Sequence, residues 1–464
     1  MNSRIARIAK RTALTLAIVL LTVLALRAWD SQRRPPLEPW HTYVPHELSA
    51  EQIDKTDWSG YLKAEAAIFD EVRREVTDKL PEHDRVPSNR YFAASPVYPG
   101  HFAQDWNRSY ELVPKGPPQG VVVLLHGLTD SPYSLRHIAR RYLAHGYAAV
   151  AIRLPGHGTV PAGLAHIEWE EWAAATRLAV REAHRLAGPS KPLHLVGFSN
   201  GGALAMMYSL DALGDPTLPK PERVVLLSPM IGITSFARFV GFAALPAMLP
   251  AFAKAAWLSI DPEFNPFKYN SFPVNGGRQA HRLTVALQAR INRYAAGGRL
   301  AELPPILTFQ SVIDFTVTTR AIISALYAQL PANGSELVLF DVNQAAHFSP
   351  LLRSSMETAI NRMLPAPPRS FRTTIISNAA PDVAQVVERV TEAGETTEHT
   401  RPLGLSYPAD IYSLSHVALP FPPSDPLYGL QPDSSEDFGI NLGAMAGRGE
   451  RGVLTVSLDS LLRV

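Results

Sequence analysis

The feature that most constrains this chain is a strand, a tight turn and a helix in immediate succession. Leu193 to Val196 is an apolar strand-like run, Gly197-Phe198-Ser199-Asn200-Gly201 follows it, and Gly201 to Leu210 continues as a helix. A serine flanked in this way sits on a strained turn, with its Oγ projecting at the carboxyl edge of a sheet. The flanking glycines are required because the turn brings backbone too close to its neighbours for larger side chains. The helix opening behind the serine adds a partial positive charge and N–H groups without helical acceptors. A bare G-x-S-x-G is common by chance. Its place between a strand and a helix makes Ser199 the candidate nucleophile.

The surrounding rhythm is that of an α/β fold. Val121 to Leu125 is continuously apolar, as expected of a strand buried on both faces. A helix around Leu135 to His145, a strand at Ala148 to Arg153 and a helix from about Trp169 to Leu186 come next. Val224 to Leu227, Pro305 to Phe309 and Glu336 to Phe340 read as later strands, with a helix at Thr319 to Leu330. Alternating strands and helices predict a mostly parallel central sheet flanked by helices, with right-handed crossovers. Tyr110 to Val113 is expected to add a short strand. Residues 30–56 are Pro-rich and polar and read as a tether. Asp57 to Leu80 reads as a helix with Leu62, Ala66, Phe69, Val72 and Val76 along one stripe. Near the C-terminus, Phe371 to Ser377 reads as a strand, Pro381 to Ala393 as a helix and Ile411 to Leu414 as a short strand.

Residues 231–303 break the rhythm with Phe236, Phe239, Phe242, Leu245, Met248, Leu249, Phe252, Trp257 and Leu258. An apolar insertion at this point lies over the carboxyl edge of the sheet, where open α/β sheets bind ligands, so it reads as a lid. The expected organisation is an N-terminal anchor (1–29), tether and helix (30–109), first half of the core (110–230), lid (231–303), and second half with an insertion and C-terminal extension (304–464).

His126-Gly127-Leu128 closes the first buried strand. A developing oxyanion needs two N–H donors already in place. The N–H groups of Asn200 and Leu128 are the expected pair. His126 precedes Ser199 and reads as a residue that orients the loop. Among the later residues, Asp314 follows the strand Ile306 to Gln310.

Val121 to Leu128, Arg153-Leu154-Pro155-Gly156-His157-Gly158 and Gly197 to Gly202 resemble the blocks of the monoacylglycerol-lipase, lysophospholipase and bacterial carboxylesterase branch of the α/β-hydrolases. The resemblance covers roughly residues 110–350. It implies the α/β-hydrolase fold and a Ser–Asp–His triad in that chain order. Asp314 matches the family's strand-then-Asp loop and is the expected acid. Two histidines fit the third place. His347 lies 33 residues after Asp314, the family's usual spacing. His416 stands at the end of Ile411-Tyr412-Ser413-Leu414-Ser415, as in the histidine loop of bacterial carboxylesterases, and leaves 48 residues after it where His347 leaves 117. His416 is favoured and His347 is the alternative. The tail also resembles a set of envelope-anchored bacterial α/β-hydrolases. The implied activity is hydrolysis of carboxylic esters, lipid-like acyl esters above all. Amidase, aminopeptidase or acyltransferase chemistry on the same triad, or a non-catalytic binding role, are the competing readings.

Arg4, Arg7, Lys10 and Arg11 precede an uncharged run from Thr12 to Leu26. A helix of that run spans ~22 Å, short of the ~30 Å hydrocarbon core. With no clean cleavage site after it, the segment reads as an uncleaved signal anchor. That places the chain at the inner membrane with the basic end inside and the rest periplasmic. Secretion after cleavage is the alternative. A formal net charge of +2, from 44 basic and 42 acidic residues, gives no case for nucleic acid. The absence of cysteine excludes disulfides and thiolate chemistry. No metal-ligand spacing or phosphate-cradling loop is present, so no metal or cofactor is expected. The chain gives no indication of oligomeric state.

Overall fold

The computed structural model describes residues 2–232, 244–312, 314, 317–341, 362–380, 383–406, 421–422 and 424–428. Ten strands form one sheet: β1 (Tyr110–Leu112), β2 (Gly120–Leu125), β3 (Tyr147–Ile152), β4 (Leu193–Phe198), β5 (Arg223–Leu227), β6 (Ile306–Ser311), β7 (Glu336–Asp341), β8 (Arg372–Asn378), β9 (Gln385–Thr391) and β10 (Glu398–Ser406). Their spatial order is β1-β3-β2-β4-β5-β6-β7-β8-β9-β10. From β3 through β8 every neighbouring pair is parallel. β1, β9 and β10 pair antiparallel at the two ends.

The helices are α1 (Asn2–Gln32), α2 (Ala50–Lys55), α3 (Trp58–Val72), α4 (Arg136–Ala144), α5 (Trp169–Ala187), α6 (Asn200–Gly214), α7 (Val274–Ala296) and α8 (Thr319–Ala325). Side-chain alternation along β2 splits the core in two. Val121, Val123 and Leu125 join the larger cluster with Trp172 of α5, Leu204 of α6 and Leu283 of α7. Val122 and Leu124 point to the other face, with Ala139 of α4, Phe198 and Leu427. A strand buried on both sides must be apolar at every position, which is why Val121 to Leu125 has no polar residue.

Several expectations need correction. The stretch from Pro381 to Ala393, read as a helix, contains strand β9. Val386 and Val390 are buried on it, and its partners are β8 and β10. β8 falls where the strand Phe371 to Ser377 was expected. The strand expected at Ile411 to Leu414 lies outside the described residues. The tether is no loose linker. Trp40 is buried beside Tyr91, Val160 and Trp257, and α2 packs on α5. On α3 the buried face is Trp58, Tyr61, Glu65, Ile68 and Val72, not the stripe through Leu62 and Phe69. Of the expected lid, α7 is core: Leu283, Leu287 and Ile291 are fully buried in the larger cluster. That leaves residues 231–273 for the expected lid, of which 233–243 lie outside the described residues. The N-terminal helix is longer than its uncharged stretch. Residues 7–32 form one helix that by length and composition could cross a membrane.

A buried charge network ties the N-terminal segment to the sheet. Arg153, directly after β3, is fully buried. It donates to both Glu47 carboxylate oxygens, at 2.7 and 3.0 Å, and to Glu65 at 3.2 Å. Ser109 donates to Glu65 through both its N–H and its hydroxyl. Glu47 also accepts from Gly156 N–H at 2.9 Å. Removing one partner of a buried ion pair strands the other and is strongly destabilising, by about 3–5 kcal/mol. Arg153→Met is therefore expected to lower the unfolding free energy read from a urea titration by an amount in that range. Adding Glu65→Met should recover part of the loss, because the second substitution removes the stranded carboxylate.

Candidate active site

Ser199 follows β4 directly and stands at the N-terminus of α6 with φ 52° and ψ −113°. A non-glycine residue with positive φ is uncommon and strained, and the surroundings must hold it there. They do so by close approach. A β-carbon on Gly201 would lie 1.9 Å from Leu125 O, and one on Gly197 would lie 2.3 Å from Gly201 O. Side chains at these two positions would push β2, β4 and α6 apart. Ser199 N–H donates to Leu227 O at 2.9 Å, and Met230 N–H donates to Ser199 O at 2.9 Å. The turn is thereby pinned to the end of β5.

The loop after β2 lies against the serine. A β-carbon on Gly127 would be 2.9 Å from the Phe198 ring and 3.3 Å from Ser199 Cβ. Leu128 follows in this loop, half-buried, and Asn200 is fully buried as the first residue of α6. Being first, the Asn200 N–H has no intrahelical acceptor. Asn200 thus adjoins Ser199 in the turn, and Leu128 follows the glycine that touches it.

Two histidines hold this loop and its neighbour. His126 Nε2 accepts from Leu154 N–H at 3.0 Å, and its other nitrogen donates to Gly127 O at 2.9 Å. His157 Nδ1 lies 3.1 Å from Pro155 O, and the two rings meet edge to face with centroids 5.0 Å apart. Burial pushes His126 well below the ordinary range and His157 down to about 3. Both rings are neutral scaffolding.

Asp314, in the loop after β6, is nearly buried. Its Oδ1 accepts from Val317 N–H at 2.9 Å, and its Oδ2 accepts from Gln310 Nε2 at 3.2 Å. Gln310 is fully buried on β6, and Nε2 also reaches Thr319 Oγ1 at 3.1 Å. Sequence reading missed Gln310. A polar residue at an inward position of a core strand was the available signal. Ser199 and Asp314 leave the same edge of the sheet, from β4 and β6, with β5 between them. His347 and His416 lie outside the described residues.

The C-terminal segment returns to this end of the molecule, on the face covered by α4. Asp425 is fully buried and accepts from Arg136 at 2.6 Å. His137 Nε2 lies 2.7 Å from the same oxygen. Phe421 and Tyr428 pack on Tyr133, whose ring stacks on Phe267 at 4.2 Å. Residues 262–271 cross over the loops after β2 and β3. Tyr269 N–H donates to Thr129 O at 2.8 Å, and Tyr269 OH donates to Gly156 O at 3.1 Å. This segment forms a roof beside the carboxyl edge of the sheet.

The family profile described as the alpha/beta hydrolase family matches residues 122–363. The chain belongs to this family. It is 27% identical over 197 residues to a thermostable monoacylglycerol lipase from Bacillus sp. (strain H-257), an overlap of 42% of this chain and 71% of that protein. Among solved structures, the Paleococcus ferrophilus monoacylglycerol lipase is 16% identical, with a TM-score of 0.38, over 55% of this chain and 98% of that one. Est1E from Butyrivibrio proteoclasticus, solved with ferulic acid, is 19% identical, with a TM-score of 0.37, over 55% and 93%. The hydrolase is thus related, at a distance, to a bacterial monoacylglycerol lipase.

The neutral histidines set a pH dependence. Unfolded histidine binds a proton below about pH 6.5, whereas folded His157 does so only near 3. Between those values the unfolded state holds more protons, so stability is full above pH 6.5 and falls as the pH drops. The melting temperature should decline from pH 7 to pH 4. His157→Asn keeps a donor near the Nδ1 position and cannot titrate, so it should show a shallower decline by differential scanning fluorimetry.

Proposed function

We propose that this hydrolase cleaves carboxylic esters with lipid-like acyl chains through an acyl-enzyme on Ser199. The observation that carries the reading is the Ser199 turn itself: a strained, positive-φ serine between glycines that admit no β-carbon, opening a helix in a member of this family. The related monoacylglycerol lipase supports the ester class and the lipid-like acyl chain.

In this mechanism Ser199 Oγ attacks the acyl carbon while a histidine takes its proton. The oxyanion accepts from the N–H groups of Asn200 and Leu128. The same histidine then protonates the leaving alcohol, and water releases the acid. Asp314 orients that histidine and stabilises its cation. Gln310 and Val317 hold the carboxylate from behind. His416 is the favoured base and His347 the alternative. The return of Phe421–Tyr428 supports His416: Phe421 packs on the cluster that contains Phe198, and five residues of extended chain reach ~17 Å. α1 supports an inner-membrane anchor with the catalytic domain periplasmic.

Ser199→Ala should abolish fluorophosphonate labelling and lower turnover by on the order of 10⁶, as loss of the nucleophile does in a comparable triad. His416→Ala should lose nearly as much, while His347→Ala keeps most activity. The reverse result would make His347 the base. With p-nitrophenyl esters from acetate to octanoate, kcat/KM should rise by orders of magnitude, since each buried CH₂ contributes about 0.8 kcal/mol. A flat profile would remove the lipid-like substrate.

A further inference from the structure

The end of the apolar helix is fastened to residues 251–258, which lead into the roof segment 262–271. Arg27 donates to Ala255 O at 3.3 Å and to Trp257 O. Arg34 donates to Trp257 O at 2.8 Å and Leu258 O at 2.6 Å. Gln32 donates to Ala251 O at 2.7 Å, and Lys254 returns a bond to Arg34 O at 2.7 Å. Ser31 is fully buried in this contact zone. The last turns of α1 are therefore built into the folded body, as those of a helix retained in the mature protein must be.

Just before this stretch, three apolar side chains stand in the open. Leu245 is 39% exposed, Met248 81% and Leu249 61%. Arg27 and Arg34 pair with Asp30 beside them, and Arg33 and Lys254 add two further cations in the same two segments. Arg33 lies 4.1 Å over the exposed Trp29 ring. A tryptophan and arginines at the end of an apolar helix are the residues that settle at the headgroup level of a bilayer.

We infer that Leu245, Met248 and Leu249 form a bilayer-docking edge, seated in the surface of the same membrane that α1 enters. Arg27, Gln32, Arg34 and Lys254 are the clasp that holds the edge at that depth. The occupant is a phospholipid bilayer with anionic headgroups. Continuity with α1 and the excess of positive charge commit the surface to it. The inference rests on α1 being a membrane anchor, and it does not depend on the ester chemistry. Its functional meaning is that an acyl ester would reach the roof of the site from the lipid surface, with little passage through water.

The chain has no cysteine, so single labels are clean. Met248→Cys, Leu249→Cys and Leu405→Cys would each carry an NBD fluorophore in the full-length protein, Leu405 being 63% exposed on the distant strand β10. The proteins would be reconstituted in phosphatidylcholine–phosphatidylglycerol vesicles containing lipids nitroxide-labelled near the headgroup. Blue-shifted emission and several-fold stronger quenching are expected at 248 and 249 than at 405. Combining Arg27→Ala with Arg34→Ala should weaken quenching at 248 while the protein still floats with the vesicles. Unquenched labels at 248 and 249 in a protein that floats would overturn the docking edge, whether their emission is water-like or blue-shifted. A protein that does not float would overturn the anchor and the edge together. Hydrolysis of a soluble ester, measured in parallel, reports separately on the proposed activity.

Discussion

Everything at the candidate site follows from how closely three pieces of backbone approach one another. Leu125 O lies where a β-carbon of Gly201 would be, and Gly201 O lies where one of Gly197 would be. With no side chain on either glycine, β2, β4 and α6 close to contact, and the residue between them is driven into positive φ. Ser199 pays for that conformation with strain, and its fixed direction at the sheet edge results from it. The loop after β2 and the end of β5 can meet the turn only because it is this tight.

Around this turn the polar groups that orient it are buried and paired. His126 and His157 lock the loops after β2 and β3 as neutral rings. Gln310 and Val317 present the Asp314 carboxylate, and Arg153 gathers Glu47 and Glu65 from residues far off in sequence. Such groups contribute more to uniqueness than to net stability, because each leaves a costly orphan if its partner moves. They also explain why a long N-terminal segment and a returning C-terminal segment belong to one body. Asp425 does for Arg136 and His137 what Glu47 does for Arg153.

What was legible in the chain is what depends on local rules. Val121 to Leu125 had to be a doubly buried strand, and Gly197 to Gly201 could serve one kind of turn. The errors came from long-range partners. Pro381 to Ala393 reads as a helix on propensity, but Val386 and Val390 are buried by strands on either side. Trp40 and Glu47 lie in a Pro-rich polar stretch, and only the distant Tyr91, Trp257 and Arg153 make them structural. Glu65 is polar on the buried face of α3, so any apolar stripe had to avoid it. Gln310 signals itself only as a polar residue on a core strand, and Asp425 carries no local signature, because its meaning lies in the groups it reaches.

The width of the sheet has a consequence for solubility. Among the described residues the ten-strand sheet is open, with two border strands, and an unpaired border can template the addition of foreign chains. One border, β1, is only three residues long. The other, β10, is nine residues long and almost wholly exposed. Pro402 lacks a backbone donor there, and Glu398 and Arg401 are held in cross-strand pairs with Arg389 and Glu388. A proline and fixed charges make this border a poor substrate for edge-to-edge aggregation. The C-terminal strands thus widen the fold while closing it to amyloid-like growth.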